Sequence, residues 1–230
     1  CGEIMPGTVY PASTPPDKTA GAISSYKILR NRIFSAIAQM LELGLAERQS
    51  CLELKEKLDA NTFNLVVVGQ FKRGKTCLIN ALLGADLLPT SVVPLTSIVT
   101  ILVYGEKLGA RVFFTSGKVI DIPVESLPEY VTEGGNPRNV KDVREVVVHY
   151  PSPYLKDGVR LVDTPGVGSV YIHNTDVAYR YLPKSDAALF LLSVDQPASS
   201  AEIEFLQDVR AYADRIFFLL NKTDYLAPTE

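Results

Sequence analysis

The hydrophobic and polar positions divide the chain into three parts. Residues 1–21 are rich in proline and small polar residues, which predicts an extended arm. Residues 22–60 contain no proline and carry apolar residues at helical spacing. This pattern predicts one long amphipathic helix, or two helices broken near Gly44. Residues 61–230 change to short apolar runs that alternate with helical patterns, which predicts a separate domain.

The third part reads as alternating strands and helices. Its first apolar run, residues 63–68, is typical of a strand buried on both faces. Further strands are predicted over 97–104, 110–114, 117–122, 143–150, 159–162, 187–194 and 216–220, and helices over 79–83, 124–131, 176–182 and 201–213. We expect 143–150 and 159–162 to be adjacent strands. The alternation predicts an α/β fold of three layers, with a mainly parallel sheet between helices.

The helical segment over residues 22–60 leaves two interpretations open. It packs on the domain that follows, or it begins a helical bundle whose other helices lie beyond this chain. The sequence does not decide between them.

Composition excludes several classes of protein. The chain has 23 basic and 26 acidic residues and no run of lysine or arginine, so it lacks the basic face of a nucleic-acid-binding protein. Its cysteines, Cys1, Cys51 and Cys77, are too few and too scattered for a disulfide framework or a zinc site. No apolar run approaches the ~20 residues of a membrane-spanning helix. We therefore expect a cytoplasmic protein.

Residues 69–76 match the phosphate-binding pattern G-x-x-x-x-G-K-[ST] and lie between a predicted strand and a predicted helix. The glycines let backbone N–H groups surround phosphates at a helix N-terminus. Lys75 would reach the β- and γ-phosphates, and the Thr76 hydroxyl would ligate Mg²⁺. The predicted nucleotide contacts in this segment are Gly69, Gln70, Phe71, Lys72, Arg73, Gly74, Lys75, Thr76 and Cys77.

A second motif, Asp-Thr-Pro-Gly at residues 163–166, follows the predicted strand 159–162. A carboxylate at the C-terminal end of such a strand lies beside the phosphate loop in an open α/β sheet. Asp163 would hold Mg²⁺ through water, and the backbone N–H of Gly166 would contact the γ-phosphate. By itself the motif is equally typical of a turn. Because it follows a phosphate loop, it predicts a metal site.

A third motif, Asn-Lys-Thr-Asp at residues 221–224, ends the predicted strand 216–220. Asp224 can accept hydrogen bonds from N1–H and the 2-amino group of guanine, and adenine lacks that pair of donors. Asn221 would brace the loop and Lys222 would lie along the base. The three motifs together predict a guanine-nucleotide site that takes GTP or GDP.

With these motifs, residues 63–226 resemble the GTPase domain of the dynamin superfamily, and bacterial dynamin-like proteins most of all. The residues that carry the resemblance are 69–76, Leu78-Ile79-Asn80-Ala81-Leu82, Leu87-Leu88-Pro89, Thr96, 163–166 and 221–224. The resemblance implies that Thr96 ligates Mg²⁺ and closes the first switch, with Thr90 and Thr100 as nearby alternatives. It also implies catalytic roles for Lys75 and Thr96.

The sequence departs from the family at two positions. Dynamins carry a catalytic glutamine third and a serine fourth in the phosphate loop, where this chain has Phe71 and Lys72. The position after the second motif is Val167, where Ras-type enzymes keep a water-orienting glutamine. We hypothesise that Lys72, or Arg73, supplies positive charge to the leaving phosphates. The alternative is that both are solvated loop cations; His173 is a weaker candidate for orienting water.

The resemblance implies a GTPase that dimerises across its nucleotide sites and remodels membranes, with the parent protein peripheral at a lipid surface. One alternative is a GTP-dependent switch or scaffold with slow hydrolysis, which Phe71 and Val167 favour. Another, a ribosome-associated or septin-like GTPase, fits the acidic charge and the preceding helix less well. The chain ends six residues after Asp224, so we expect a C-terminally incomplete domain with weakened nucleotide affinity.

Overall fold

The computed structural model describes residues 18–44, 48–90, 98–166, 178–179, 181–213 and 215–226. It divides into two compact units, Cys1–Thr62 and Phe63–Glu230. The helices are α1 (Lys18–Leu43), α2 (Arg48–Ala60), α3 (Lys75–Leu83), α4 (Pro128–Val131) and α5 (Ser200–Tyr212). The strands are β1 (Phe63–Val68), β2 (Thr100–Tyr104), β3 (Gly109–Phe114), β4 (Val119–Ile122), β5 (Val143–Tyr150), β6 (Val159–Asp163), β7 (Ala187–Ser193) and β8 (Ile216–Asn221).

The described residues of the first unit form two helices, so of the two predicted forms the broken one is correct. Helix α1 ends before Gly44, whose φ of +64° is the left-handed conformation in which a helix commonly terminates. Arg30 on α1 donates to the carbonyl oxygen of Leu58 on α2 at 2.8 and 3.0 Å. Tyr26 donates to the side chain of Asn61 at 2.8 Å. These contacts join the two helices side by side. None of the helices in the described ranges is long and apolar enough to cross a lipid bilayer.

The second unit is built on an eight-stranded sheet in the order β4-β3-β5-β2-β6-β1-β7-β8. Strands β6, β1, β7 and β8 are parallel to one another, and β2 is parallel to β5. Strand β2 runs antiparallel to β6, and β3 runs antiparallel to β4 and β5. The predicted mainly parallel α/β sheet is confirmed.

Helices cover both faces of this sheet because side chains alternate along its central strand. Val66, Val67 and Val68 of β1 are all fully buried. Val67 packs with Ile79 of α3 in one apolar cluster, whereas Val66 and Val68 pack with Phe205 of α5 in the other. A strand buried on both faces has no polar side, which explains the continuous apolar run in its sequence. The result is three layers.

One predicted neighbour relationship is wrong. Strands β5 and β6 are joined through a short 3₁₀ segment, Pro153–Gly158, but they do not pair, because β2 lies between them. The apolar patterns of β5 and β6 predicted each strand but carried no information about a third strand inserted from earlier in the chain. The predicted helix over 124–131 is a 3₁₀ turn, Val124–Ser126, followed by α4.

The sheet brings the three sequence motifs to one edge. Since β6, β1, β7 and β8 are parallel, their C-terminal ends lie side by side. The phosphate-binding pattern follows β1, the Asp-Thr-Pro-Gly motif starts on the last residue of β6, and the Asn-Lys-Thr-Asp motif starts on the last residue of β8. Ligands in open α/β sheets bind at this edge.

Candidate nucleotide site

The phosphate loop, residues 69–76, connects β1 to α3. Gly74 precedes the first turn of α3, so the free N–H groups of that turn face the loop. The Lys75 ammonium turns back and donates to the carbonyl oxygens of Gly69 at 3.0 Å and Gln70 at 3.1 Å. Burial lowers the pKa of Lys75 to about 8, although the Asp163 and Glu202 charges oppose that shift. The amine is therefore held inside the loop, where it would stabilise a bound anion.

Asp163 lies against the phosphate loop. Its Oδ2 accepts a 2.8 Å hydrogen bond from the hydroxyl of Thr76. Its Oδ1 is buried and, within the part of the chain that the structure describes, has no hydrogen-bond partner. Burial raises the pKa of Asp163 to about 6, although the Lys75 charge and the Thr76 hydrogen bond pull it down. A buried carboxylate oxygen left free beside a hydroxyl is suited to a hard cation.

The Asp-Thr-Pro-Gly segment crosses directly over the phosphate loop. Thr164 donates from its hydroxyl to the carbonyl oxygen of Val67 at 2.8 Å, which fixes the segment to β1. A Cβ placed on Gly166 would lie 2.7 Å from the backbone N and Cα of Phe71 and 3.0 Å from Nζ of Lys75. Only glycine permits this approach, and it brings the Gly166 backbone beside the lysine that the phosphate pattern supplies.

The Asn-Lys-Thr-Asp segment contacts the phosphate loop from the other side. The Asn221 side-chain amide donates to the carbonyl oxygen of Arg73 at 2.8 Å, which links the Asn-Lys-Thr-Asp segment to the phosphate loop. Lys222 has a φ of +57° and donates to Asp195 at 2.7 Å. Asp224 lies in the 3₁₀ turn Thr223–Tyr225 with its carboxylate exposed. That exposed position leaves the acceptor available to a ligand.

The two candidate loop cations have different surroundings. Lys72 is exposed, has a φ of +67°, and places Nζ 5.5 Å from the centre of the Phe71 ring. Arg73 is fully buried and forms an ion pair with Glu202 at 2.6 Å. The alternatives that Arg73 is a charge for the leaving phosphates, or a solvated loop cation, are therefore both wrong. A guanidinium enclosed in this way cannot reach a ligand without unpairing a buried carboxylate.

Sequence reasoning missed four residues that support these loops: Thr164, Ser193, Asp195 and Glu202. The Ser193 hydroxyl contacts both Arg73 and Asp195. Glu202 forms a capping box with Ser199 at the start of α5. The Ser-x-x-Glu spacing was visible in the sequence and would have predicted that cap. No local pattern indicated that its carboxylate also meets the phosphate loop 129 positions earlier.

Several predicted residues remain to be placed. Thr96, Val167 and His173 lie outside the described residues. Of the two alternatives to Thr96, Thr90 is exposed, whereas Thr100 is buried in β2 directly opposite Asp163. Cys77 is half-buried in the first turn of α3.

Comparison with known proteins agrees with this geometry. The model of the dynamin family matches residues 65–223. A protein of Caldicellulosiruptor described as an uncharacterized protein in the xynA 3′ region is 50% identical over 210 residues, covering 89% of this chain and 52% of that protein. The bacterial dynamin-like protein of Nostoc punctiforme is 30% identical over 180 residues, covering 74% of this chain and 26% of the relative.

Solved structures show the same likeness. A chain from an oligomerised bacterial dynamin pair, described as sensing and tethering membranes, matches with a TM-score of 0.62 and 28% sequence identity. The match covers 80% of this chain and 30% of that one. This chain thus spans about half of one relative and less than a third of the others. The family match, the sheet and the three motif-bearing loops lead to one conclusion: the chain belongs to the dynamin family and carries its GTPase domain.

Proposed function

We propose that the site at the C-terminal edge of β6, β1 and β8 binds GTP with Mg²⁺ and hydrolyses it. The observation that carries this proposal is the arrangement around Asp163. Its Oδ2 accepts from Thr76 at 2.8 Å, and its buried Oδ1 is unpaired within the described ranges. Lys75 is buried in the same loop. Thr76 and Asp163 together offer oxygen ligands for a cation, and the Lys75 amine lies beside them. A nucleoside triphosphate with its metal ion requires this combination.

Thr76 and Asp163 fit a magnesium ion, because Mg²⁺ is commonly held by one or two protein oxygens together with substrate phosphates. Thr96 is proposed as the third protein ligand on the family resemblance. When bound, Mg²⁺ neutralises charge on the β- and γ-phosphates during transfer. Lys75 would exchange the carbonyl oxygens of Gly69 and Gln70 for phosphate oxygens, and the Gly166 N–H would reach the γ-phosphate.

Guanine selectivity is assigned to Asp224. Its exposed carboxylate stands on a turn that is tied to the phosphate loop by the Asn221–Arg73 hydrogen bond. A base held at Asp224 is thereby placed in a fixed position relative to the phosphates. ATP would leave this carboxylate without its two donors, which a specific site penalises.

For the parent protein we propose nucleotide-dependent dimerisation across this face and action at a membrane surface. The support is the family itself and the oligomerised bacterial dynamin pair described as tethering membranes. An exposed Lys72 at the rim of the site is consistent with a surface that meets a second copy. The nucleotide then controls assembly, and assembly acts on lipid.

A second candidate function is a GTP-dependent switch with slow hydrolysis. Phe71 favours it, because an aromatic ring stands where dynamins place a catalytic glutamine. A Cβ on Gly166 would lie 2.7 Å from the Phe71 backbone, so this position is close to the segment expected to meet the γ-phosphate. An apolar side chain there cannot orient a water molecule.

Turnover as a function of protein concentration separates the two candidates. In the full-length protein, GTP hydrolysis per molecule should rise steeply with concentration, and further with liposomes, if assembly drives hydrolysis. A rate that is low and independent of concentration supports the switch. Lys75→Ala should lose GTP affinity, and ATP should compete poorly. Unaltered GTP affinity in Lys75→Ala, or equal competition by ATP, would refute the nucleotide site itself.

A further inference from the structure

Arg73 belongs to the phosphate loop but points away from the phosphate side. Its side chain is 0% exposed. Nε and Nη2 contact the two carboxylate oxygens of Glu202 at 2.9 and 2.6 Å, a two-point contact of the fork-to-fork type. Nη1 donates to the Ser193 hydroxyl at 2.9 Å and to the carbonyl oxygen of Gln196 at 2.8 Å, and Nη2 donates to that of Pro197 at 2.9 Å. The guanidinium is thus bonded to the end of β7, to the loop after it and to α5.

Glu202 is held in place independently of Arg73. Its Oε2 accepts from the backbone N–H of Ser199 at 3.1 Å, and its own N–H donates to the Ser199 hydroxyl at 3.2 Å. Burial acts to raise the pKa of Glu202, but the hydrogen bonds from Arg73 and the Ser199 N–H outweigh it and hold that pKa below its ordinary value. The carboxylate is therefore a fixed, ionised anchor at the helix N-terminus, where negative charge is also stabilised.

The main chain of Arg73 is held as well. Its N–H donates to the Gln70 carbonyl oxygen at 3.4 Å, and its carbonyl oxygen accepts from Asn221 at 2.8 Å. Gly74 and Lys75 follow at once, and α3 begins there. The residue immediately before the glycine and lysine of the phosphate pattern is thus fixed through its side chain to α5 and through its backbone to β8.

We propose that Arg73 and Glu202 are positioning residues for phosphate binding: the buried pair anchors the phosphate loop from behind, so that its N–H groups are oriented before nucleotide arrives. Loops that bind anions through backbone N–H groups need a defined conformation, and ordering them on binding costs affinity. Neither side chain touches the ligand. This inference rests on the proposed nucleotide site and adds to it the residues that set the loop.

Two variants test the anchor. Glu202→Gln keeps the shape of the anchor and removes its charge. The double variant Arg73→Met with Glu202→Leu replaces the buried pair by apolar side chains, a change that often preserves folding. The control is Ser199→Ala, which removes the hydroxyl that caps α5 but retains the Arg73–Glu202 ion pair and the hydrogen bond from the Ser199 N–H to Glu202. The measurements on the full-length protein are GDP affinity with Mg²⁺ by calorimetry and the melting temperature without nucleotide, with affinities taken well below the lowest melting temperature.

If the pair positions the loop, GDP affinity falls at least tenfold in Glu202→Gln or, should that variant not fold, in the double variant. Ser199→Ala should lower the melting temperature while GDP affinity stays within twofold of wild type. A folded anchor variant that binds GDP as the wild type does would overturn the inference and leave the proposed function standing. A wild-type protein that fails to bind GDP would overturn the proposed function, and the inference with it.

Discussion

The side-chain amide of Asn221 donates to the carbonyl oxygen of Arg73 at 2.8 Å, across 148 positions of sequence. This bond joins the loop expected to hold the base to the loop expected to hold the phosphates. It also places the Asn221 amide at the position that a side chain on Gly74, the residue after Arg73, would occupy. A Cβ on Gly74 would lie 2.4 Å from Nδ2 of Asn221.

Gly74→Ala should therefore damage both loops. Gly74 has a φ of +92°, and an alanine in a left-handed conformation costs about 1–2 kcal/mol. Displacing Asn221 adds about 1–3 kcal/mol, the usual cost of overpacking. We expect the free energy of unfolding to fall by the sum of the two, with loss of GDP binding. Denaturant unfolding and calorimetry measure the two effects.

The matched control is Gly84→Ala. Gly84 ends α3 with a φ of +69°, but a Cβ there would meet no atom of the described residues within 4 Å. This variant should lose only the conformational part, about 1–2 kcal/mol, and keep GDP affinity. Equal losses of unfolding free energy and GDP affinity in the two variants would show that the contact between position 74 and Asn221 contributes to neither.

Strand and helix patterns in the sequence predicted most of the sheet, because each reflects burial of a local segment. The continuous apolar run of β1 follows from burial on both faces, and the glycine at position 44 ends α1 as the break near it indicated. Strand order did not follow from local pattern. Strand β2 enters between β5 and β6, and that pairing depends on contacts between residues 46 to 63 positions apart.

The candidate site divides in the same way. The motifs predicted the residues that we propose to face the nucleotide, since binding of phosphate and base requires these residue types at this spacing. The motifs did not predict the buried residues that hold these loops in place. The sequence leaves Arg73 as either a charge for the leaving phosphates or a solvated loop cation, yet Arg73 is paired with Glu202 and fully buried. A partner 129 positions away leaves no trace in a local pattern.

Asp163→Asn should change how stability depends on pH in the nucleotide-free protein. Burial raises the pKa of Asp163 from 3.8 to about 6. Between those values the folded protein keeps a proton that the unfolded chain has released, so wild-type stability falls as pH rises from about 4 to 6. The total is on the order of 1–3 kcal/mol. The asparagine variant lacks this loss, and at pH 7 it should be the more stable protein.

Urea unfolding at pH 4.5, 5.5 and 7 measures the difference. Asp121→Asn, which removes an exposed carboxylate on β4, controls for the loss of one negative charge. If the wild type and Asp163→Asn show parallel pH profiles, the pKa of Asp163 is not raised in the nucleotide-free protein. In the proposed function the same substitution should weaken binding of GTP with Mg²⁺, so stability and ligand affinity move in opposite directions.

Asp195→Asn should have a small effect on nucleotide affinity. Lys222 donates a hydrogen bond to the Asp195 carboxylate at 2.7 Å, and this bond is the main reason that the pKa of Asp195 lies below its ordinary value. Because Asp195 is exposed, solvent screens this attraction. We expect GDP affinity to fall by less than about fivefold at low salt, and by less still in 0.5 M salt. A loss beyond tenfold that persists at high salt would mean that Asp195 acts on the nucleotide more directly.

Lys72→Ala should slow hydrolysis without weakening binding, if Lys72 supplies charge to the leaving phosphates. Its ammonium is exposed and lies 5.5 Å from the Phe71 ring centre, so it is free to reorient when a second copy approaches. Cations that act in this way accelerate phosphoryl transfer by about 10³ or more, and we expect at least a tenfold loss. Single-turnover hydrolysis at saturating protein measures the chemical step apart from product release.

The control for that experiment is Lys118→Ala, because Lys118 is also exposed and lies 5.7 Å from the ring centre of its neighbour Phe114, but on the β3–β4 hairpin. Lys118→Ala should hydrolyse GTP at the wild-type rate. GDP affinity in Lys72→Ala should stay within twofold, since the lysine is not expected to contact the diphosphate. If Lys72→Ala binds GTP and hydrolyses it as fast as Lys118→Ala does, Lys72 is only a solvated cation. Under the proposed function, Lys75 and the proposed Mg²⁺ would then be the groups that offset the charge on the leaving phosphates.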